Sequence, residues 1–109
     1  MAKLTVIGFR PEYRGVRRLV EIEDGLSAMQ AFVGGYIQAV RIPGSASLVL
    51  VCDEEALLRD PLPEPTVHFD GIGVIWGPCF VCRRMWVKDG EVFVSAGESD
   101  LDAVGGEML

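Results

Sequence analysis

Four arginines and a tyrosine between residues 10 and 18 are the side chains in this 109-residue chain with the clearest capacity to bind a ligand. A guanidinium group forms paired hydrogen bonds with phosphate or carboxylate, and an aromatic ring can stack on a base. Two interpretations stay open: an anion site, or solvated charges that balance an acidic body. The candidate ligand-binding residues are Arg10, Tyr13, Arg14, Arg17 and Arg18. On a strand Arg17 and Arg18 would point to opposite faces, so at most some of these side chains converge.

The charge of the chain is distributed unevenly. The net charge is −6, but residues 1–18 carry +4 and the remaining residues carry −10. Bulk nucleic-acid binding depends on neutralising many phosphates with cations, so the acidic body argues against it. The basic N-terminal end is still compatible with a small anionic ligand.

Cys79 and Cys82 form a C-x-x-C pair that, with Cys52 and His68, has the composition of a zinc site. Against this, only one ligand pair is closely spaced, and residues 79 and 82 of a continuous strand would point to opposite faces. The other interpretation is that the thiols are small buried side chains. We expect no metal and no cofactor, although the sequence leaves the convergence of these four residues open.

Two further motifs suggest chemistry but are better explained by structure. Gly34-Gly35 could approach a phosphate, but glycine-rich phosphate loops precede a helix and this pair follows one. Asp53, Glu54 and Glu55 are typical of the start of a short helix over residues 54–59. The single histidine has no evident nucleophile partner, so we expect no catalytic residue and no enzymatic activity.

The sequence of the first half of the chain predicts the strands and the helix that position the arginines and the double glycine. Residues 10–15 form a flexible loop between two strands, and Asp24 caps a helix that ends at Gly34. The next two strands form an antiparallel pair. These elements cover residues 3–9, 16–23, 25–33, 36–42 and 48–53.

The second half predicts a mainly extended chain. Pro61, Pro63 and Pro65 indicate a surface connection over 60–66, and Gly77-Pro78 a bend between apolar segments at 72–76 and 80–82. Asp89-Gly90 is typical of a two-residue hairpin turn, which would place Lys88 opposite Glu91 and Trp86 opposite Phe93. The acidic residues 97–109 are expected to fray.

Together these elements predict a single α+β domain over residues 1–109, with a small, mainly antiparallel sheet and one or two short helices packed on one face. The N-terminus lacks the apolar region of a signal peptide, and no apolar run is long enough to cross a membrane. An odd number of cysteines fits free thiols in a reducing compartment. We therefore expect a cytoplasmic protein with no membrane partner.

LSAMQAFVGGYIQAVRI, followed by LVLVCDEEALL, resembles the signature of a small domain-of-unknown-function family found in bacteriophages, plasmids and actinobacteria. The resemblance covers roughly residues 20–60. It implies an accessory, phage-encoded or bacterial protein and no established activity. No functional residue is transferred from the family.

The leading hypothesis is a non-enzymatic accessory protein that binds a small anionic ligand or a host protein, with sequestration of a ligand against host defence as one role. The alternative is an acidic inhibitor of a host protein, and a small enzyme ranks last. The mean hydropathy of +0.30 leaves room for a homo-oligomer interface.

Overall fold

The computed structural model describes residues 2–109, in which nine strands and two short helices are present. The helices are α1 (Leu26–Val33) and α2 (Glu98–Ala103), and 3₁₀ turns cover Pro11–Tyr13 and Ala56–Leu58. None of the helices in this range is long and apolar enough to span a bilayer. The strands are β1 (Lys3–Phe9), β2 (Arg18–Glu23), β3 (Ile37–Arg41), β4 (Leu48–Asp53), β5 (Pro65–Phe69), β6 (Gly73–Trp76), β7 (Cys79–Val87), β8 (Gly90–Val94) and β9 (Glu107–Met108).

The strands form two antiparallel sheets. The larger has the order β2-β1-β7-β4-β3, and β8 pairs with the outer half of β7. The smaller has the order β6-β5-β9. The predicted antiparallel pairing of the two strands at 36–42 and 48–53 is confirmed, since Ile37 lies opposite Asp53 and Arg41 opposite Val49. The prediction of a mainly antiparallel sheet with short helices is also confirmed.

Both faces of the larger sheet are covered, which explains why every residue of β4 is buried. Successive side chains of a strand point to opposite faces. Val49 and Val51 therefore join the core beneath α1, and Leu50 joins the core beneath the small sheet. The helices lie on opposite faces, because Phe32 of α1 is in the first core and Leu101 of α2 packs against the second. The expected packing of the helices on one face is wrong.

Helix α1 ends as predicted but begins differently. Gly34 follows the helix with a φ of 88°, a left-handed conformation that glycine adopts without strain. The first cap position is Gly25, and Asp24 makes no side-chain capping bond. Asp24 instead donates its N–H to the Ala2 carbonyl, so it belongs to the end of the β1–β2 pair.

The β7–β8 hairpin is in the predicted place with a different register. Trp86 lies opposite Glu91 rather than Phe93, so Lys88 and Asp89 form the turn. The base of the hairpin is tied to β1, since the Ala96 N–H donates to Thr5 O at 2.8 Å and the Thr5 N–H donates to Ser95 Oγ. This anchoring outweighs the local preference of Asp89-Gly90 for the turn.

The expected extended connection stops earlier than predicted. β5 begins at Pro65 and is the middle strand of the small sheet. A proline is compatible with this place because it is the first residue of the strand, where a missing N–H costs least.

Residues 97–109 are not frayed. Asp100 is buried and forms a bidentate ion pair with Arg83, with Nη2–Oδ1 at 2.6 Å, and it accepts the Gly97 N–H at the start of α2. Val104 is buried in the second core, and β9 pairs with β5. The acidic composition suggested a solvated tail, but the acid at residue 100 has a cationic partner in β7.

Candidate functional site

The predicted arginine loop divides between the two faces of the larger sheet. Arg18 lies opposite Gly8 in the β1–β2 pair, so it points to the α1 face, whereas Arg17 precedes it and points away. The opposite orientation that strand alternation predicts for Arg17 and Arg18 is confirmed. The five candidate residues therefore do not converge on one point.

Two candidate arginines lie over aromatic rings on the α1 face, and one of these rings belongs to the candidate Tyr13. The guanidinium carbon of Arg18 lies 4.6 Å from the centre of the Tyr13 ring, and that of Arg10 lies 4.1 Å from the Phe32 ring. Arg10 also donates from Nη2 to the Phe32 carbonyl at 3.0 Å. Both rings stand over Gly8, where a Cβ would lie 3.0 Å from Phe32 and 3.2 Å from Tyr13. The absence of a side chain at this position lets the two cation–aromatic pairs lie side by side.

Arg14 follows the Pro11–Tyr13 turn with a φ of 54°, which makes it the one non-glycine residue in the described range with a left-handed backbone. It is exposed, and no carboxylate within residues 2–109 lies at ion-pair distance from it. Arg14 and Arg10 line a cavity of about 240 Å³, whose other lining residues include Glu64 and Thr66. We call Arg10, Tyr13, Arg14 and Arg18 the arginine surface.

Arg17 has a structural role on the opposite face. Its guanidinium donates to the Leu101 and Gly105 carbonyls through Nη1 and to the Gly106 carbonyl through Nη2. Burial lowers the pKa of this guanidinium, and Asp102 partly opposes the shift. Arg17 thus ties the segment after α2 to the body and has little capacity left for a ligand.

The double glycine at the end of α1 forms a second candidate site. The Gly34 and Gly35 N–H groups both donate to the Gln30 carbonyl, at 2.8 and 3.1 Å, which turns the chain sharply into β3. A Cβ at Gly35 would overlap Nη2 of Arg59 and lie 2.8 Å from Oδ1 of Asp53. Glycine is therefore required at residue 35 by a close side-chain approach, and at residue 34 by its backbone conformation.

Asp53 holds Arg59 at this corner. Nε of Arg59 donates to Oδ2 at 2.5 Å and Nη2 donates to Oδ1 at 3.2 Å, while Oδ1 also accepts the Glu55 N–H at 3.0 Å. The Asp53 side chain is only 2% exposed. The hydrogen bonds from Arg59 lower the pKa of the Asp53 carboxyl, against the opposing effect of its burial.

Arg59 is not among the site residues that the sequence predicts. Asp53 was expected at the start of a helix over 54–59, but only the short 3₁₀ turn Ala56–Leu58 forms there. The available signal was an acid at the end of a buried strand with an arginine six residues later.

The corner borders an open cavity of about 410 Å³, which we call the double-glycine cavity. Its volume lies within the range of small-molecule pockets. Tyr36 is 64% exposed. The lining residues are Gln30, Gly34, Gly35, Tyr36, Glu55 and Arg59.

The cysteines are in the buried cores. Cys79 belongs to the core beneath the small sheet and Cys82 to the core beneath α1, so the C-x-x-C pair points to opposite faces as expected for a continuous strand. Burial raises the pKa of Cys52 to about 11 and that of Cys82 to about 12, which keeps both thiols protonated at neutral pH. Across residues 2–109, no group of three or more His, Cys, Asp or Glu side chains is placed to hold a metal ion. His68 lies apart, in the small sheet beside Asp70.

The outer half of the β7–β8 hairpin exposes apolar side chains. Beyond Arg84 these two strands pair with each other alone within the described chain, and Trp86 is 70% exposed. Glu91 of β8 forms an ion pair with Arg84 of β7 at 3.1 Å, so the charges of these two residues balance each other. We call Met85, Trp86, Val87 and Val92 the apolar arm.

Residues 4–106 match a family described as a domain of unknown function, DUF3846. The chain belongs to the DUF3846 family. The match includes the arginine surface, the double-glycine cavity and every strand except Lys3 of β1 and the whole of β9. No curated protein and no solved structure matches this DUF3846 domain.

Proposed function

We propose that this DUF3846 domain is a non-enzymatic binding protein whose arginine surface takes a small anionic ligand. The observation that carries the proposal is that Arg14 and Arg18 lack an ion-pair partner within residues 2–109, while Tyr13 offers a ring beside them. Guanidinium groups without a carboxylate partner attract phosphate or carboxylate. The strongly acidic remainder of the chain disfavours polyanions and leaves small ligands as the preferred class.

Thermal unfolding in the presence of inorganic phosphate and a panel of mononucleotides and cyclic nucleotides tests the proposal. A ligand that binds the folded state raises Tm, and above its Kd the shift grows with the logarithm of the ligand concentration. We expect Arg14→Ala combined with Arg18→Ala to remove the shift. Arg41→Ala is the matched control, because Arg41 is exposed on β3 at the opposite edge of the sheet from Arg18. Equal loss in the control, or no shift with any anion, contradicts the proposal.

The biological form of the proposal is an accessory protein, encoded by a phage or bacterium, that sequesters its ligand in the cytoplasm. Support comes from the resemblance of the VGGYI and VCDEE segments to proteins of phages and plasmids. Phage plating on cells that express either the wild type or the Arg14→Ala, Arg18→Ala variant tests this role. We expect the wild type alone to restore plating on a host with a nucleotide-signalling defence.

The alternative function, inhibition of a host protein by direct binding, is favoured by the apolar arm. Large exposed apolar patches mark interaction surfaces. The two functions make different predictions, because Trp86→Ser should abolish binding to a defined host partner and leave any anion-induced Tm shift intact. Light scattering on wild type and Trp86→Ser tests whether the arm instead joins two copies of the chain.

A further inference from the structure

The double-glycine cavity has a different charge from the arginine surface. Arg59 is the cation of its lining, and the bidentate contact with the buried Asp53 balances that charge. Glu55 also lines the cavity and forms no ion pair within the described chain. The cavity therefore has no excess positive charge, and it suits a neutral ligand better than a free phosphate.

The hydrogen-bonding groups of this cavity are still available. A guanidinium has five N–H donors, and Asp53 takes only Nε–H and one N–H of Nη2, which leaves Nη1 and the other Nη2 donor. The side chains of Gln30 and Glu55 make no hydrogen bond to other described residues. Donors and acceptors thus line one cavity without satisfying each other.

Two features hold the Arg59 guanidinium in place for a ligand. The Asp53 side chain is buried and grips the Arg59 guanidinium at two atoms, and the missing Cβ of Gly35 lets the guanidinium lie against the backbone. The exposed ring of Tyr36 provides a flat apolar surface in the same lining. A preorganised arginine beside an aromatic ring favours a planar polar ligand.

We propose that the double-glycine cavity binds a neutral planar heterocycle with a guanine-type edge, on which a carbonyl oxygen lies next to adjacent N–H donors. The Glu55 carboxylate accepts from the paired N–H groups, Arg59 donates to the carbonyl oxygen, and the ring stacks on Tyr36. Adenine lacks the carbonyl and the paired donors on this edge, so it leaves both Arg59 and Glu55 unsatisfied.

Titration of the full chain with guanosine, followed by NMR of the backbone amides, tests the proposal. Guanosine carries no phosphate, so its binding is independent of the anion proposed for the arginine surface. We expect saturable shifts at Gly34, Gly35 and Tyr36, and binding of adenosine that is weaker by about tenfold or more. Absence of saturation up to the solubility limit, or equal binding of adenosine, overturns the proposal.

Variants on exposed side chains avoid the risk that loss of Arg59 unfolds the corner. We expect Glu55→Gln and Tyr36→Ala each to weaken guanosine binding by about tenfold. Glu54→Gln is the matched control, since Glu54 is the adjacent exposed acid and lines a different cavity. Arg14→Ala should leave guanosine binding unchanged, which separates this site from the arginine surface. Equal effects of Glu54→Gln and Glu55→Gln overturn the assignment.

Discussion

The arginine surface and the double-glycine corner both present a guanidinium group to solvent, but they hold it in different ways. At the corner, the buried Asp53 grips Arg59 at two atoms and Gly35 gives it room. On the arginine surface, Arg10 and Arg18 lie over aromatic rings and Arg14 has no carboxylate partner in the described chain. The number of arginines in a segment therefore says little about which charges are free. That depends on the partners that the fold supplies.

This difference separates the proposed ligands. A guanidinium without an acid attracts anions through its charge, whereas one paired with an acid acts through the direction of its remaining N–H groups. The arginine surface suits a phosphate or carboxylate, and the corner suits a neutral ligand with a defined pattern of donors and acceptors. The following substitutions test whether the two regions differ as described.

The largest effect is expected for Gly35→Ala. The added Cβ overlaps Nη2 of Arg59, so the ion pair with Asp53 must open, and we expect a loss of about 3 kcal/mol in the free energy of unfolding. Gly15→Ala in the arginine loop meets no atom within 4 Å and should cost only about 1 kcal/mol, because of its positive φ. Urea unfolding of both variants measures the difference. Equal losses would show that the Arg59 side chain moves aside at little cost and that the close approach at Gly35 does not require glycine.

Arg17 and Arg18 are neighbours with different roles. Arg17→Ala removes the bonds to three carbonyls after helix α2, and we expect a loss of about 2 kcal/mol. Arg18→Ala removes one contact with a ring and should cost about 0.5 kcal/mol. Hydrogen exchange at the Leu109 amide, which donates to Thr66 O, should accelerate in the first variant only. Acceleration in both variants would contradict the assignment of Arg17 to the C-terminal segment.

The tyrosines of the two regions should also differ in how much their removal destabilises the fold. Tyr13 is half-buried between Gly8 and Arg18, so Tyr13→Ala should destabilise the fold by about 1.5 kcal/mol. Tyr36 is mostly exposed, and Tyr36→Ala should cost less than about 0.5 kcal/mol. Thermal unfolding compares them, with Tyr13→Phe as the control that keeps the ring. A large loss in Tyr36→Ala would mean that its ring supports the corner.

Acid should weaken the corner, because the Asp53 carboxylate that binds Arg59 becomes protonated. Arg59 holds the pKa of Asp53 below its usual value of about 3.9, so near that pH the unfolded chain binds more protons than the folded chain. The stabilisation is present above the usual value and is lost as pH falls through the lowered one. Asp53→Asn should flatten this part of the curve when unfolding is measured from neutral pH to about pH 2.

Asp100 provides the internal reference for that measurement. Arg83 lowers the pKa of Asp100 just as Arg59 lowers that of Asp53. The Asp53→Asn variant should therefore still lose the part of its stability in acid that comes from Asp100. A curve unchanged from wild type would show that the Asp53–Arg59 pair adds nothing to stability. The arginine surface should contribute little, because its one ion pair, Arg10–Glu12 at 3.5 Å, is exposed and its other contacts are to rings and a carbonyl oxygen.

Local patterns predicted the strands well. Residues 3–9 and 48–53 match β1 and β4 at both ends, and Gly34 ends α1 as its position indicated. Strand alternation also predicted the divergence of Arg17 from Arg18 and of Cys79 from Cys82. These features depend on contacts between near neighbours in the chain, which the order of residues specifies directly.

Features that depend on distant partners were not predictable in the same way. The register of the β7–β8 hairpin depends on bonds to Thr5, and the order of residues 97–109 depends on Arg83 and Arg17. The corner depends on Arg59, which no local motif singled out. For the hairpin and the C-terminal segment the deciding partners lie far away in the chain, so a window of neighbouring residues does not contain them. Arg59 is only six residues from Asp53, but the expected helix over 54–59 assigned Asp53 a different role.

The amino-acid sequence by itself determined where β1 to β4 and α1 lie, which residues alternate between faces, and that a basic segment opens an acidic chain. Only the tertiary structure decided which arginines are free, because pairing of Arg17 with the C-terminal carbonyls and of Arg59 with Asp53 requires segments to meet in space. Charge is a property of each residue, whereas its availability to a ligand is a property of the folded chain. The arginine surface and the double-glycine cavity differ for that reason.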